Sequence, residues 1–142
     1  VTLGNKGRAL IQSFEGCRLE SYRDVAGVLT IGYGHTGNVT EGQTITPEDA
    51  DRLFDADVAG VVEFVNRVAP TANQNQFDAL CSFAYNLGTN ALGGSSVLRC
   101  FKIGRFSDAA RSFSDWDHAG GVQVPGLTRR RQAEANLFLE EA

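Results

Sequence analysis

Two carboxylates and a hydroxyl stand close together near the start of this chain. Glu15 lies in Phe14-Glu15-Gly16-Cys17, Asp24 follows nine residues later, and Thr30 six residues after that. Two carboxyl groups can work as acid and base across a cleft, and a hydroxyl can hold a water between them. Hydrolysis of a glycosidic bond needs that trio. Each residue also has a plain reading. A glutamate at a helix end is ordinary, an aspartate ahead of Gly27 suits a turn, and a threonine suits a strand. The combination, not any one member, carries the chemistry.

Other candidates are weaker. Three cysteines, Cys17, Cys81 and Cys100, cannot all pair within one chain. Free thiols are the plain reading, with Cys81 on an apolar helix stripe acting as a small hydrophobe. Cys17, two residues past Glu15, lacks a persuasive histidine partner for nucleophilic catalysis. His35 and His118 are the two histidines, and no His/Cys spacing suits zinc. A structural, ion-paired His35 is expected rather than a metal ligand. Thr30-Ile31-Gly32-Tyr33-Gly34 imitates a potassium-channel filter, a reading that fails without membrane helices.

The elements that must position these groups follow from local signals. Residues 5–15 read as a helix, with Ala9, Leu10 and Phe14 at helical spacing and Gly16 as its stop. This puts Glu15 at the negative pole of the helix, which suits a residue that must keep its proton until a leaving oxygen takes it. Leu19–Tyr22 and Val28–Tyr33 read as a small hairpin or sheet. Thr46-Pro47-Glu48-Asp49 starts a helix that stops before Pro70. Asn73 caps the next, with Phe77, Leu80, Cys81, Ala84 and Tyr85 along one stripe and Gly88 at its end. Short helices are expected at 96–103 and around 106–113. A loop bounded by Gly120-Gly121 and Pro125-Gly126 precedes a last helix from about Thr128 to Glu140, where Arg130 and Glu134 stand one turn apart. The sum is a helix-dominated α+β protein with its strands early.

The length of 142 residues suits one domain, or two lobes sharing a core. Apolar residues are 42% and charged residues 21%, values of an ordinary globular chain. No apolar run approaches a membrane span. The net charge of −4 is uneven: residues 1–98 carry −5 and residues 99–142 carry +1. No basic tract argues for nucleic acid. Attraction to an anionic polymer would be local, around Arg99, Lys102, Arg105 and Arg129 to Arg131. The chain contains no methionine, so an N-terminal signal or anchor ahead of Val1 stays open.

The segment from Glu15 to His35 resembles the phage endolysin lysozymes, the muramidases of tailed bacteriophages. That family reads Glu, eight residues, Asp, five residues, Thr, with Gly after the Glu and Gly-x-Gly-His after the Thr. All of those positions are kept here. The likeness returns at Ala79–Gly88 and at Gly126–Glu134. It implies a lysozyme-like domain over 1–142: a first helix at about 5–15, a small β lobe at about 16–45 and a helical lobe at about 46–142. It implies hydrolysis of the β-1,4 bond from N-acetylmuramic acid to N-acetylglucosamine in peptidoglycan, by inversion, for host lysis. The enzyme would be made in the infected cytoplasm and would act in the periplasm or wall, as a monomer, with no metal or cofactor.

Glu15, Asp24 and Thr30 would then be acid, base and water holder. Tyr22, Thr36 and Phe101 would line the cleft, although some relatives place an aliphatic residue where Thr36 stands. One of the three consecutive arginines, Arg129 foremost, would pair with Glu15. Some endolysins are held inactive by cysteine pairing, so Cys17 is a candidate redox latch. The rival readings are a chitin-type glycanase and a wall-binding module of a tail or toxin that has lost turnover.

Overall fold

A computed structural model describes residues 1–141. The element order is α1 (Asn5–Glu15), β1 (Arg18–Arg23), β2 (Leu29–Gly32), α2 (Pro47–Val68), α3 (Gln74–Leu87), α4 (Thr89–Gly93), α5 (Ser96–Lys102), α6 (Phe106–Ser112), a 3₁₀ turn (Phe113–Trp116), β3 (His118–Ala119), β4 (Val122–Gln123) and α7 (Pro125–Leu139). The chain divides into two compact units, residues 12–60 and residues 1–11 with 61–142.

In the unit of residues 12–60, β1 and β2 pair antiparallel, with Tyr22 opposite Thr30 and Arg23 opposite Leu29. The register shifts between Arg18 and Tyr22. Leu19 and Ser21 bond to the chain on the other edge of β1. Ser21 N–H donates to the Gln43 carbonyl and Ile45 N–H to the Leu19 carbonyl. Ile31, Ala50 and Phe54 are almost wholly buried here, and the rings of Tyr33 and Phe54 meet edge-to-face at 5.7 Å. α2 starts as its residues predict: Thr46 Oγ1 accepts from Asp49 N–H while Asp49 Oδ2 accepts from Thr46 N–H, both at 3.1 Å.

The second unit is built around α3, buried continuously from Asn75 to Ala84. The expected apolar stripe is present, but the polar side of the helix is buried as well. Each polar group there has a partner, which is what makes its burial tolerable. Asn73 and Gln76 form a capping box. Asp78 accepts from Gly4 N–H at 2.9 Å and Gly7 N–H at 3.2 Å, and so holds the start of α1. Phe83 packs edge-to-face on Phe113 and Trp116 at 5.6 and 5.5 Å.

Two expectations need correction, and one element was not foreseen. The stretch after Gly88 is helical, as α4, and the Gly120-Gly121 loop is the turn of a two-residue ribbon, β3 with β4. α7 begins at Pro125, three residues early, because proline's fixed φ and missing N–H suit a first helical position.

Candidate functional site

Glu15, Asp24 and Thr30 all lie in the unit of residues 12–60. Glu15 is the last residue of α1. Gly16 follows at φ 68°, a conformation that ends the helix at low cost. The Glu15 carboxyl is half-buried and rests on glycine backbone. A Cβ built on Gly34 would stand 3.0 Å from Glu15 Oε1. Gly34 itself has φ 82°, so the Gly-x-Gly-His stretch turns sharply and brings bare backbone to the Glu15 carboxyl.

Asp24 organises the turn between β1 and β2. Its Oδ1 accepts from the N–H groups of Ala26 and Val28, both at 2.9 Å. Its own N–H donates to the Val28 carbonyl at 3.0 Å, and Arg23 Nη1 donates to the Gly27 carbonyl at 2.8 Å. Thr30 is 3% exposed, and its hydroxyl donates to the Val28 carbonyl at 2.9 Å. The turn reading and the catalytic reading of Asp24 are therefore compatible. One carboxylate oxygen builds the turn, and Oδ2 has no hydrogen bond to a described residue.

Tyr22, opposite Thr30, is half-buried with the Arg18 guanidinium 4.3 Å above its ring. Thr36 is exposed. Phe101 is a correction. It lies in the other unit, 4% exposed, packed against Phe106 and Phe138. Its aromatic neighbours arrive from α6 and α7, and its ring belongs to the core rather than to a sugar-binding wall.

The three arginines also part company. Arg129 is exposed on α7, whereas Arg130 and Arg131 are 4% and 1% exposed beside the fully buried Glu134. Arg131 Nε stands 2.7 Å from Glu134 Oε1, and Arg130 Nε stands 3.4 Å from Oε2. Ser82 Oγ donates to the same Oε2 at 2.5 Å. All three cysteines are free: Cys17 exposed, Cys81 buried, Cys100 between. Burial pushes the Cys81 thiol far up, and Asp78 adds to the effect.

Sequence reasoning expected an ion pair for His35 but named no partner. The partner is Asp57 on α2, with His35 Nδ1 at 2.8 Å from Asp57 Oδ2. An acidic residue on the α2 turn after Phe54 was the available signal, but the pair spans 22 residues. Among the described residues no three His, Cys, Asp or Glu side chains gather as a metal site, and no helix is long and apolar enough to cross a membrane. A cavity of about 340 Å³ between α6 and α7 contains none of the three candidate catalytic groups.

Comparison with known proteins gives a consistent picture. The family model described as Phage lysozyme matches residues 12–134. An endolysin of Acyrthosiphon pisum secondary endosymbiont phage 1 is 39% identical, over 96% of this chain and 97% of its own. An endolysin of Salmonella phage P22 is also 39% identical, covering 98% and 99%. Among solved structures, the muramidase domain of SpmX from Asticaccaulis excentricus superposes with a TM-score of 0.92 at 41% identity, with 99% of each chain covered.

Proposed function

Because this chain belongs to the phage lysozyme family, we propose that Glu15, Asp24 and Thr30 carry out the hydrolysis of peptidoglycan. The bond is the β-1,4 link from N-acetylmuramic acid to N-acetylglucosamine. Glu15 gives its proton to the leaving oxygen. Asp24 stays ionised and takes a proton from the attacking water, which Thr30 helps to hold.

The observation that carries this reading is the state of the two oxygens nearest the water's task. The Thr30 hydroxyl hydrogen is already given to the Val28 carbonyl. Its oxygen therefore offers lone pairs only, and a water beside it must donate. Asp24 Oδ1 is filled by two backbone donors, which leaves Oδ2 as the acceptor. A water that donates one hydrogen to each has its own lone pair left to attack the anomeric carbon.

Tyr22 and Thr36 are the remaining saccharide contacts in this reading. The biological task is host lysis by a monomer acting in the periplasm or wall. A latch through Cys17 belongs to the same proposal, and activity with and without reductant tests it. The decisive assay is turbidity clearing of outer-membrane-permeabilised bacteria, with analysis of fragments released from purified peptidoglycan. New reducing ends on N-acetylmuramic acid are expected. Release of chitin fragments alone, or pelleting on wall without release, would replace this reading with the glycanase or the binding module.

A further inference from the structure

Gly34 sits in a tight reversal that closes on itself. Ile31 N–H donates to the His35 carbonyl and His35 N–H to the Ile31 carbonyl, each at 2.9 Å. These bonds fix the shape of the reversal but not its place. The contact between Gly34 and Glu15 needs the place fixed too, because a Cβ there would already reach 3.0 Å from Oε1.

Two side chains of α2 supply the anchor, one on each side of Gly34. Phe54 meets the ring of Tyr33, the residue before it. Asp57 meets His35, the residue after it, with Nδ1 facing Oδ2 at 2.8 Å and Oδ1 at 3.0 Å. The far ring nitrogen is held as well, since Nε2 lies 2.8 Å from the Gly37 carbonyl. Each ring nitrogen therefore faces a fixed oxygen, a carboxylate on one side and a carbonyl on the other. The side chain is only 18% exposed and is gripped at both ends.

We propose that Asp57 and His35 are positioning residues for the general acid. They hold Gly34 against the Glu15 carboxyl, and so limit the directions in which that carboxyl can present its proton. The inference rests on the reading of Glu15 as the acid. It differs from a merely stabilising role in its route, because the effect of Asp57 on turnover passes through Gly34. A misplacement of about 1 Å at a reacting group can cost about 100-fold in rate, so a loosened reversal is enough to matter.

The test is a double-mutant cycle on turnover of soluble peptidoglycan fragments of one length. Asp57→Asn, Gly34→Ala and their combination are compared with wild type, at a temperature where thermal unfolding shows each to be folded. Asp57→Asn is expected to lower kcat about 10–100-fold with KM changed by less than about twofold. Asp57→Glu should restore part of the loss, and the double variant should lose little more than the worse single one. If Asp57→Asn does not fold, His35→Gln replaces it in the same cycle. Wild-type kcat in the folded single variant, or losses that multiply in the double, would overturn the proposal. Glu15→Gln measured beside them separates the premise: full turnover there removes the acid assignment, whatever the cycle gives.

Discussion

Asp24 and Thr30 are tied to the two ends of one residue. Val28 gives its N–H to Asp24 Oδ1 and accepts the Thr30 hydroxyl at its carbonyl, both at 2.9 Å. The proposed base and the proposed water holder therefore move with a single peptide segment. Their spacing is a property of the turn, and the turn is a property of Asp24 itself. Thr30→Ala should slow turnover, because the water loses one of its two acceptors. The water gains positive charge as it bonds to carbon, and a hydrogen bond from a charged group is worth about 1.5–3 kcal/mol, so kcat should fall about 10–100-fold. Thr30→Ser, which keeps the oxygen, should stay within about threefold of wild type on the same scale. Steady-state rates at matched folded fraction check this, and equal rates in the alanine and serine variants would remove Thr30 from the mechanism.

Glu15→Gln keeps the shape of the side chain beside Gly34 but has no acidic proton to give. General acid catalysis contributes about 10²–10⁴-fold. Clearing of permeabilised cells should fall by about that factor, while the melting temperature and binding to purified wall stay close to wild type. A purified Gln variant that clears cells at near wild-type rate would assign the acid elsewhere.

The local part of this architecture was legible in the residues. α1 ends at Glu15 because Gly16 follows, and α2 and α3 begin where Thr46 and Asn73 can cap them. Such signals act within one turn of helix. What stayed hidden depends on partners far along the chain. Arg130 and Arg131 read as local positive charge open to an anionic polymer, yet they are buried because Glu134, Ser82 and Asn86 meet them inside the core. Phe101 read as a sugar contact until α6 and α7 closed over it. Nothing adjacent to His35 announces Asp57.

The buried cluster on α7 gives a stability prediction. Burial pushes the Glu134 carboxyl up, while Arg131, the Ser82 hydroxyl and Arg130 pull it back. Glu134→Gln removes a buried negative charge that both guanidiniums face. Breaking a buried pair in this way costs about 3–5 kcal/mol. Urea unfolding should show a lower midpoint with little change in slope. A loss under about 1 kcal/mol would mean that the arginines are paired adequately without Glu134.

Asp117 gives a pH dependence. It is 4% exposed. Gln123 Nε2 and Thr128 Oγ1 donate to its Oδ2, both at 2.9 Å, and His118 Nδ1 lies 2.7 Å from Oδ1. These partners, Gln123 first, hold its carboxyl below the usual aspartate value. The fold therefore favours the ionised form. That stabilisation is complete above the unfolded value of about 3.9 and is lost as pH falls through the lower folded value. Wild type should melt above Asp117→Asn at neutral pH, and the gap should close as the solution is acidified below about pH 4. A gap that stays constant through the acid range would assign the stabilisation to shape rather than charge.

The stereochemical course follows from the direction in which the water must come. If Asp24 and Thr30 each take a hydrogen from it, its lone pair meets the anomeric carbon on the face opposite the leaving sugar. Inversion of this kind needs carboxyl groups about 6.5–9.5 Å apart, whereas a nucleophilic carboxylate works at about 5–5.5 Å. The bonding of Asp24 argues the same way. Its Oδ1 is locked into the turn by two backbone N–H groups, which suits a fixed base better than a nucleophile that must swing onto carbon. The first product from the β-linked substrate should therefore be the α-anomer. NMR of fresh product, recorded before mutarotation, reads this directly. A β-anomer at first appearance, or a glycosyl adduct trapped on Asp24, would reverse the assignment of Asp24 from base to nucleophile, while Glu15 would keep its place as the acid.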